Sequence, residues 1–216
     1  MKKQEKKKTI FFNVVKEHVE NNLKQYLIIG VLFIIGIIIG VIVVNNMQLQ
    51  TKEHIGTEIK TFIDCLKNQT YQIDYISLLK SVITNHILFT LLLWFLGCSV
   101  IGIPIVYILI TYRGFSLGYT ISSIILSLGI GKGALFSIIT LLLQNILIVP
   151  AIIGIAVSGT RLYSSIVVKN KRMENIKIEI IKHTIFCILM LVLLVIASII
   201  EVYISDFLIN LCAKYF

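Results

Sequence analysis

Proline and charge are both scarce in this chain. Two prolines in 216 residues argue against a loop-rich or disulfide-scaffold fold. Charged residues make up 14% of the total, where a soluble domain usually has about a quarter. There is a single tryptophan. The four cysteines, Cys65, Cys98, Cys187 and Cys212, show no CxxC spacing, so they read as small apolar residues and not as a metal or redox site. What fills the chain is hydrophobic sequence: 57% of the residues are apolar and the mean hydropathy is +0.92. This excludes disorder and a soluble globular enzyme. The length is better divided by the roughly 20 residues that cross a bilayer than by the size of a soluble domain.

Five apolar stretches of that size are present, at about 26–44, 87–110, 115–130, 134–159 and 183–204. The fold class they predict is all-α: a polytopic integral membrane bundle of five transmembrane helices with amphipathic interfacial helices, forming one membrane domain over 1–216. Residues 1–25 hold seven lysines, with Phe11, Val15, Val19 and Leu23 at every fourth position. That spacing predicts a basic interfacial helix on an anionic inner leaflet. The apolar run after it is too long for a cleaved signal and has no small-residue cleavage site, so it reads as an uncleaved signal anchor. Residues 45–86 carry equal numbers of acids and bases. Ile55, Ile59, Phe62, Ile63 and Leu66 recur at helical spacing there, which predicts amphipathic helices outside the membrane.

Charge sets the orientation. With the N-terminus inside, residues 1–25, a turn at Thr111–Gly114 and the segment 160–182 hold 14 Lys and Arg, against 6 in the outer pieces. The positive-inside rule then places the N-terminus in the cytoplasm and the C-terminus outside. The basic balance is explained without nucleic acid.

Polar groups inside apolar spans are costly, so they mark the places to examine. Gln144 and Asn145 are expected to face the bundle, against Ser99, Ser122 or Ser123 or against carbonyls freed by Pro104 and Pro150. They serve either as interhelical glue or as the lining of a path. Pro104 is expected to kink its helix near Val100. Glu201 is the acid of the last span and is expected to pair with Lys132 at the outer face. Arg113 is expected at the inner face, reaching head groups or capping carbonyls. Gly36-x3-Gly40 and Gly114-x3-Gly118 have the spacing that lets helices approach closely, and a dimer through Gly36 and Gly40 is one use of it. Gly129–Gly133 resembles a phosphate loop only superficially: it lacks the upstream Gly and the following Ser or Thr. No HExxH or GxSxG is present, and His18, His54, His86 and His183 are scattered. No catalytic set, metal ligand set or cofactor is predicted.

The order of several stretches resembles the stage II sporulation protein M family. They are Gly36-x3-Gly40 through Val44-Asn45-Asn46-Met47, Trp94–Gly97 with Ile101–Pro104, Arg113–Gly118, Gln144–Pro150 and Glu201–Ser205. Together they cover nearly the whole chain. The resemblance implies a non-enzymatic membrane scaffold at the sporulation septum. Such a scaffold assembles and localises septal peptidoglycan hydrolases, the stage II sporulation proteins D and P, while the forespore is engulfed. Its other expected partners are membrane lipids and a second copy of itself. The outer segment 45–86 is then the candidate docking surface, with Lys60 and Lys67 on its polar face. A permease-like subunit lined by Gln144, Asn145 and the proline breaks is the alternative, and a lipid-remodelling protein a third possibility.

Overall fold

The computed structural model describes residues 16–67, 74–99, 101–167 and 173–213. Every regular element among them is helical. A short helical stretch at 16–21 leads into α1 (Leu23–Asn45). There follow α2 (Leu49–Lys67), α3 (Tyr75–Gly97), α4 (Gly102–Leu128) and α5 (Ile130–Ser137). A five-residue π-helical turn (Ile138–Leu142) joins α5 to α6 (Leu143–Val167), and α7 (Met173–Ala213) completes the order.

The ends of these helices have local causes. The Asn46 side chain donates to Ile42 O at 2.9 Å and Lys52 Nζ donates to Asn45 O at 2.6 Å, which occupies carbonyls that α1 leaves open. Asp74 caps α3: its Oδ1 accepts from the amides of Ile76 at 3.1 Å and Ser77 at 3.3 Å, a cap worth about 1 kcal/mol. The link between α3 and α4 is tight because Gly102 lies on the backbone of Leu96, whose Cα is 2.7 Å from where a Cβ would be. Gly129 stops α4 with φ of 82°, a left-handed conformation that glycine adopts without penalty.

Contacts between helices fix their directions. Gly36 of α1 lies against Thr111 and Phe115 of α4, and Gly40 one turn later lies against Phe115 and Tyr119, so α1 and α4 run parallel. Trp94 and His86 of α3 meet Thr184 and Glu201 of α7. Ser158 and Arg161 of α6 meet His183 and Glu179 of α7. Both α3 and α6 therefore run antiparallel to α7. The starts of α1, α4 and α7 and the ends of α3 and α6 share one end of the bundle, called here the first end.

The helices α2 and α5 lie at the opposite end. There Ile59 of α2 joins Ile124, Phe136, Ile139 and Leu141 in a small apolar cluster, and Ile63 is 5% exposed. The main core gathers Ile29, Leu93, Ile110, Ile148, Ile155 and Leu194, all essentially buried. Outside it, Ile28, Ile35, Leu88, Ile108, Ile146, Ile188 and Val192 are exposed. Each such side chain forgoes roughly 1.5–3 kcal/mol if left in water, so this apolar exterior is a surface for lipid. Among the described residues, four helices are long and apolar enough to cross a membrane: Leu23–Asn45, Tyr75–Gly97, Gln144–Val167 and Ile176–Val202.

The bundle departs from the sequence expectation in three respects. The expected five apolar spans are four by length and composition; α4 is not one of them, although it runs alongside α1. The boundary expected at Thr111–Gly114 is continuous helix, and the chain reverses near 98–101. The expected spans at 87–110 and 115–130 are thus replaced by α3 and α4, because Gly97 and Gly102 permit a turn that Arg113-Gly114 does not make. Pro104 consequently sits in the first turn of α4 and kinks nothing; a proline is tolerated there because first-turn amides have no helical partner. Finally, residues 75–86 belong to α3 and are not an outer amphipathic helix, while α2 is amphipathic as expected.

Candidate functional site

Two glycine pairs bring the backbones of α1 and α4 close together. A Cβ on Gly36 would meet Thr111 O and lie 2.9 Å from Phe115 N. One on Gly40 would meet Phe115 O and lie 2.7 Å from Tyr119 N. From the other side, Gly114 faces Phe33 O and Gly118 faces Ile37 O. The sequence marked both pairs as close-approach motifs; the structure joins them to each other within one chain. The Gly36–Gly40 stripe is thereby filled by α4 and is not a free dimer face.

This contact holds Arg113 at the level of Phe33, beside the middle of α1. Arg113 is therefore not at the inner face. Glu201, expected opposite Lys132, meets His86. His86 Nε2 is 3.8 Å from Glu201 Oε2, with side chains 9% and 25% exposed, and the charges of Arg113 and Glu201 interact. His86 is the midpoint of α3. One turn on, the buried hydroxyl of Thr90 has no hydrogen-bond partner. Three helices thus bring a base, an acid and an imidazole together inside the apolar bundle. In low dielectric such groups are retained only when they compensate one another.

Gln144 and Asn145 are half-buried in the first turns of α6. Asn145 Nδ2 donates to Leu141 O at 2.7 Å, one turn back in the preceding π-helical turn, so its partner is local. Pro150 lies within α6 and is exposed, as is Pro104 in α4. Neither lines an interior path.

At the first end of the bundle a second polar assembly forms, which sequence reading missed. His183 is 2% exposed. Its Nδ1 is hydrogen-bonded with Ser158 Oγ at 2.8 Å, and Cys187 Sγ lies 3.7 Å from Nε2. Gly97 and Gly159 make room for the ring: a Cβ on Gly97 would be 2.9 Å from His183 Nε2 and 3.0 Å from Gly159 Cα. His18 is also buried, with Nδ1 3.2 Å from the Tyr26 hydroxyl and its ring stacked on Phe186 at 4.0 Å. Burial, with help from the nearby Arg161 and His183, lowers its pKa to about 4. Glu179 joins Arg161 at 3.9 Å and Lys182 at 3.5 Å. These groups line a cavity of about 310 Å³. The signal available in the sequence was a histidine at the first position of the last apolar run.

The opposite end presents α2. Its apolar edge is packed through Ile59 and Ile63, while Glu53, Glu58, Lys60 and Asp64 are exposed. Lys67 closes the helix, and its side chain is outside the described residues. Among the described residues no three His, Cys, Asp or Glu side chains are grouped to hold a metal ion.

Comparison with known proteins gives one match. The family model described as Stage II sporulation protein M matches residues 29–206. The match runs from α1 into α7 and includes the glycine pairs, Arg113, Glu201 and both prolines. No curated protein and no solved structure matches the chain.

Proposed function

The chain belongs to the stage II sporulation protein M family, and from that premise we propose that it is a non-enzymatic membrane scaffold of endospore formation. In this reading it assembles and localises septal peptidoglycan hydrolases, the stage II sporulation proteins D and P, during engulfment. The observation that carries the reading is the placement of α2. The helix is pinned to one end of the bundle through Ile59 and Ile63, and it offers a row of charges outward. A rigid, charged platform at the membrane surface suits recruitment of a partner better than chemistry.

Orientation supports the same reading. With Arg113 inside the bundle, 13 Lys and Arg remain in the sequence segments 1–25 and 160–182, against 6 in the expected outer pieces, and the described parts of those two segments lie toward the first end. That makes the first end cytoplasmic and turns α2 toward the space that holds the septal wall. The permease alternative drew on Pro104 and Pro150 as path-lining breaks, and their exposure on the outside of the bundle favours the scaffold.

The test is affinity capture of the tagged protein from detergent-solubilised sporulating membranes, read by mass spectrometry. Unaltered protein recovers the hydrolases. Lys60→Glu, combined with Lys67→Glu, lowers their recovery several-fold while the protein still reaches the septum. Equal recovery with and without the two changes would remove α2 as the docking surface.

A further inference from the structure

The cavity at the first end plays no part in the scaffold reading. It lies where the 16–21 stretch, the end of α6 and the start of α7 meet. Arg161 and Lys182 converge there on Glu179, yet their side chains are 38% and 57% exposed, so both keep donors to offer. Glu17 from the 16–21 stretch adds a second carboxylate to the lining. Two cations and two carboxylates leave the lining balanced.

Apolar residues complete it. Ile185 and Leu189 line the cavity, and Ile185 is 60% exposed on the flank of α7 that also shows Ile178, Ile181 and Ile188. The cavity therefore reaches the surface that lipid chains cover. It does so near the ends of two candidate spans, Gln144–Val167 and Ile176–Val202, which is head-group depth.

One buried atom there lacks a partner. His18 is 8% exposed, and its Nε2 has no hydrogen-bond partner. In the tautomer whose Nδ1 accepts from the Tyr26 hydroxyl, the proton of the neutral ring sits on Nε2. This leaves a buried donor, on the wall of a polar cavity, in need of an acceptor.

We propose that this cavity binds the head group of a zwitterionic aminophospholipid from the surrounding leaflet. The phosphate accepts from Lys182, Arg161 and Nε2 of His18. The ammonium is held by Glu17. The acyl chains leave over Ile185 and Leu189. A lining with balanced charge suits a zwitterion, because a purely anionic head group would leave Glu17 facing like charge. Basic pockets between membrane helices on the cytoplasmic side are general head-group sites; this one differs by its carboxylates.

The test is native mass spectrometry of the full-length protein in detergent, offered phosphatidylethanolamine, phosphatidylglycerol or diacylglycerol. Phosphatidylethanolamine is retained most strongly. Lys182→Gln, at an exposed side chain that leaves folding intact, weakens its retention about tenfold, as loss of one charge-assisted bond implies. His18→Phe, which keeps the stack on Phe186, does likewise. Glu17→Gln removes the preference for phosphatidylethanolamine over phosphatidylglycerol. The proposal is overturned if diacylglycerol or phosphatidylglycerol is retained as well as phosphatidylethanolamine by the unaltered protein. It is equally overturned if Lys182→Gln and His18→Phe behave like Lys80→Gln on α3. Displacement of the lipid by an equal concentration of inorganic phosphate would mark a free-phosphate site and also overturn it.

Discussion

Replacing Gly36 with alanine tests the packing of α1 on α4 directly. The new methyl would point at Thr111 O and lie 2.9 Å from Phe115 N and 3.0 Å from Thr111 C. Those atoms are backbone, so none can swing aside as a side chain would. Restoring ordinary contact moves α1 outward by at least half an ångström, and the neighbouring Gly40, Gly114 and Gly118 contacts open with it. Overpacking of this kind costs typically 1–3 kcal/mol, and a rigid backbone contact belongs at the upper end. At about 2–4 °C per kcal/mol for a chain of this size, the melting midpoint in detergent falls by roughly 6–12 °C. Gly30→Ala on the same helix is the control, because nothing lies within 4 Å of its added Cβ; it is neutral or slightly stabilising. The assay is thermal unfolding followed by Trp94 emission at several protein concentrations. A Gly36→Ala midpoint equal to that of Gly30→Ala would refute the contact. A loss that vanishes on dilution would show that the glycines join two chains.

Two further perturbations have defined signs. Glu201→Gln removes the negative charge that interacts with Arg113 and lies 3.8 Å from His86, and it destabilises by about 0.5–3 kcal/mol, the range for coupled groups of one network. Arg113→Leu with Glu201→Leu recovers most of that loss, and strictly additive single effects in a double-mutant cycle would contradict the pairing. The second concerns pH. His18 has a folded pKa of about 4 against its ordinary 6.5, so between those values the unfolded chain binds more protons and stability rises with pH. Acidification from pH 7 to pH 5 therefore weakens docking of the 16–21 stretch by about 2 kcal/mol. Hydrogen exchange of that stretch should quicken at pH 5, and His18→Phe should abolish the difference; exchange that ignores pH would count against a buried neutral imidazole.

The fold class and α1 were legible because each rests on a single strong signal. Uniform hydropathy over Tyr26–Val44 leaves only a membrane helix, and the alternation in 45–67 leaves only an amphipathic one. The middle of the chain was not legible for the opposite reason. Arg113-Gly114 looked like an inner turn because a charge and a glycine in apolar sequence ordinarily mean a loop. Pro104 looked like a kink because helix starts are set by tertiary contacts, here Gly102 against Leu96, which no local pattern displays. Depth was the missing coordinate. Without it Glu201 could be placed near Lys132, although its charge finds Arg113 and its carboxylate His86 in the fold. The histidines were dismissed as scattered because His18, His86 and His183 are distant in sequence, while His18 and His183 line one cavity.

The failure of α4 to qualify as apolar has the same origin as its position. A helix facing lipid must be hydrophobic outward, since unsatisfied polar groups there cost several kcal/mol each. α4 spends its glycines on close backbone contact with α1 and buries Ser122 and Ser123 within the bundle. The hydroxyls of Thr111, Thr120 and Ser127 return to carbonyls one turn back in the same helix. The charge of Arg113 interacts with that of Glu201 from α7. Of the hydroxyls that lower the hydropathy of α4, those of Thr111, Thr120 and Ser127 have partners, Ser122 and Ser123 are buried, and that of Ser123 has no hydrogen-bond partner. Among the described residues, the exposed large apolar side chains of α4 are Ile105, Ile108, Tyr112 and Leu126, which lie along one flank.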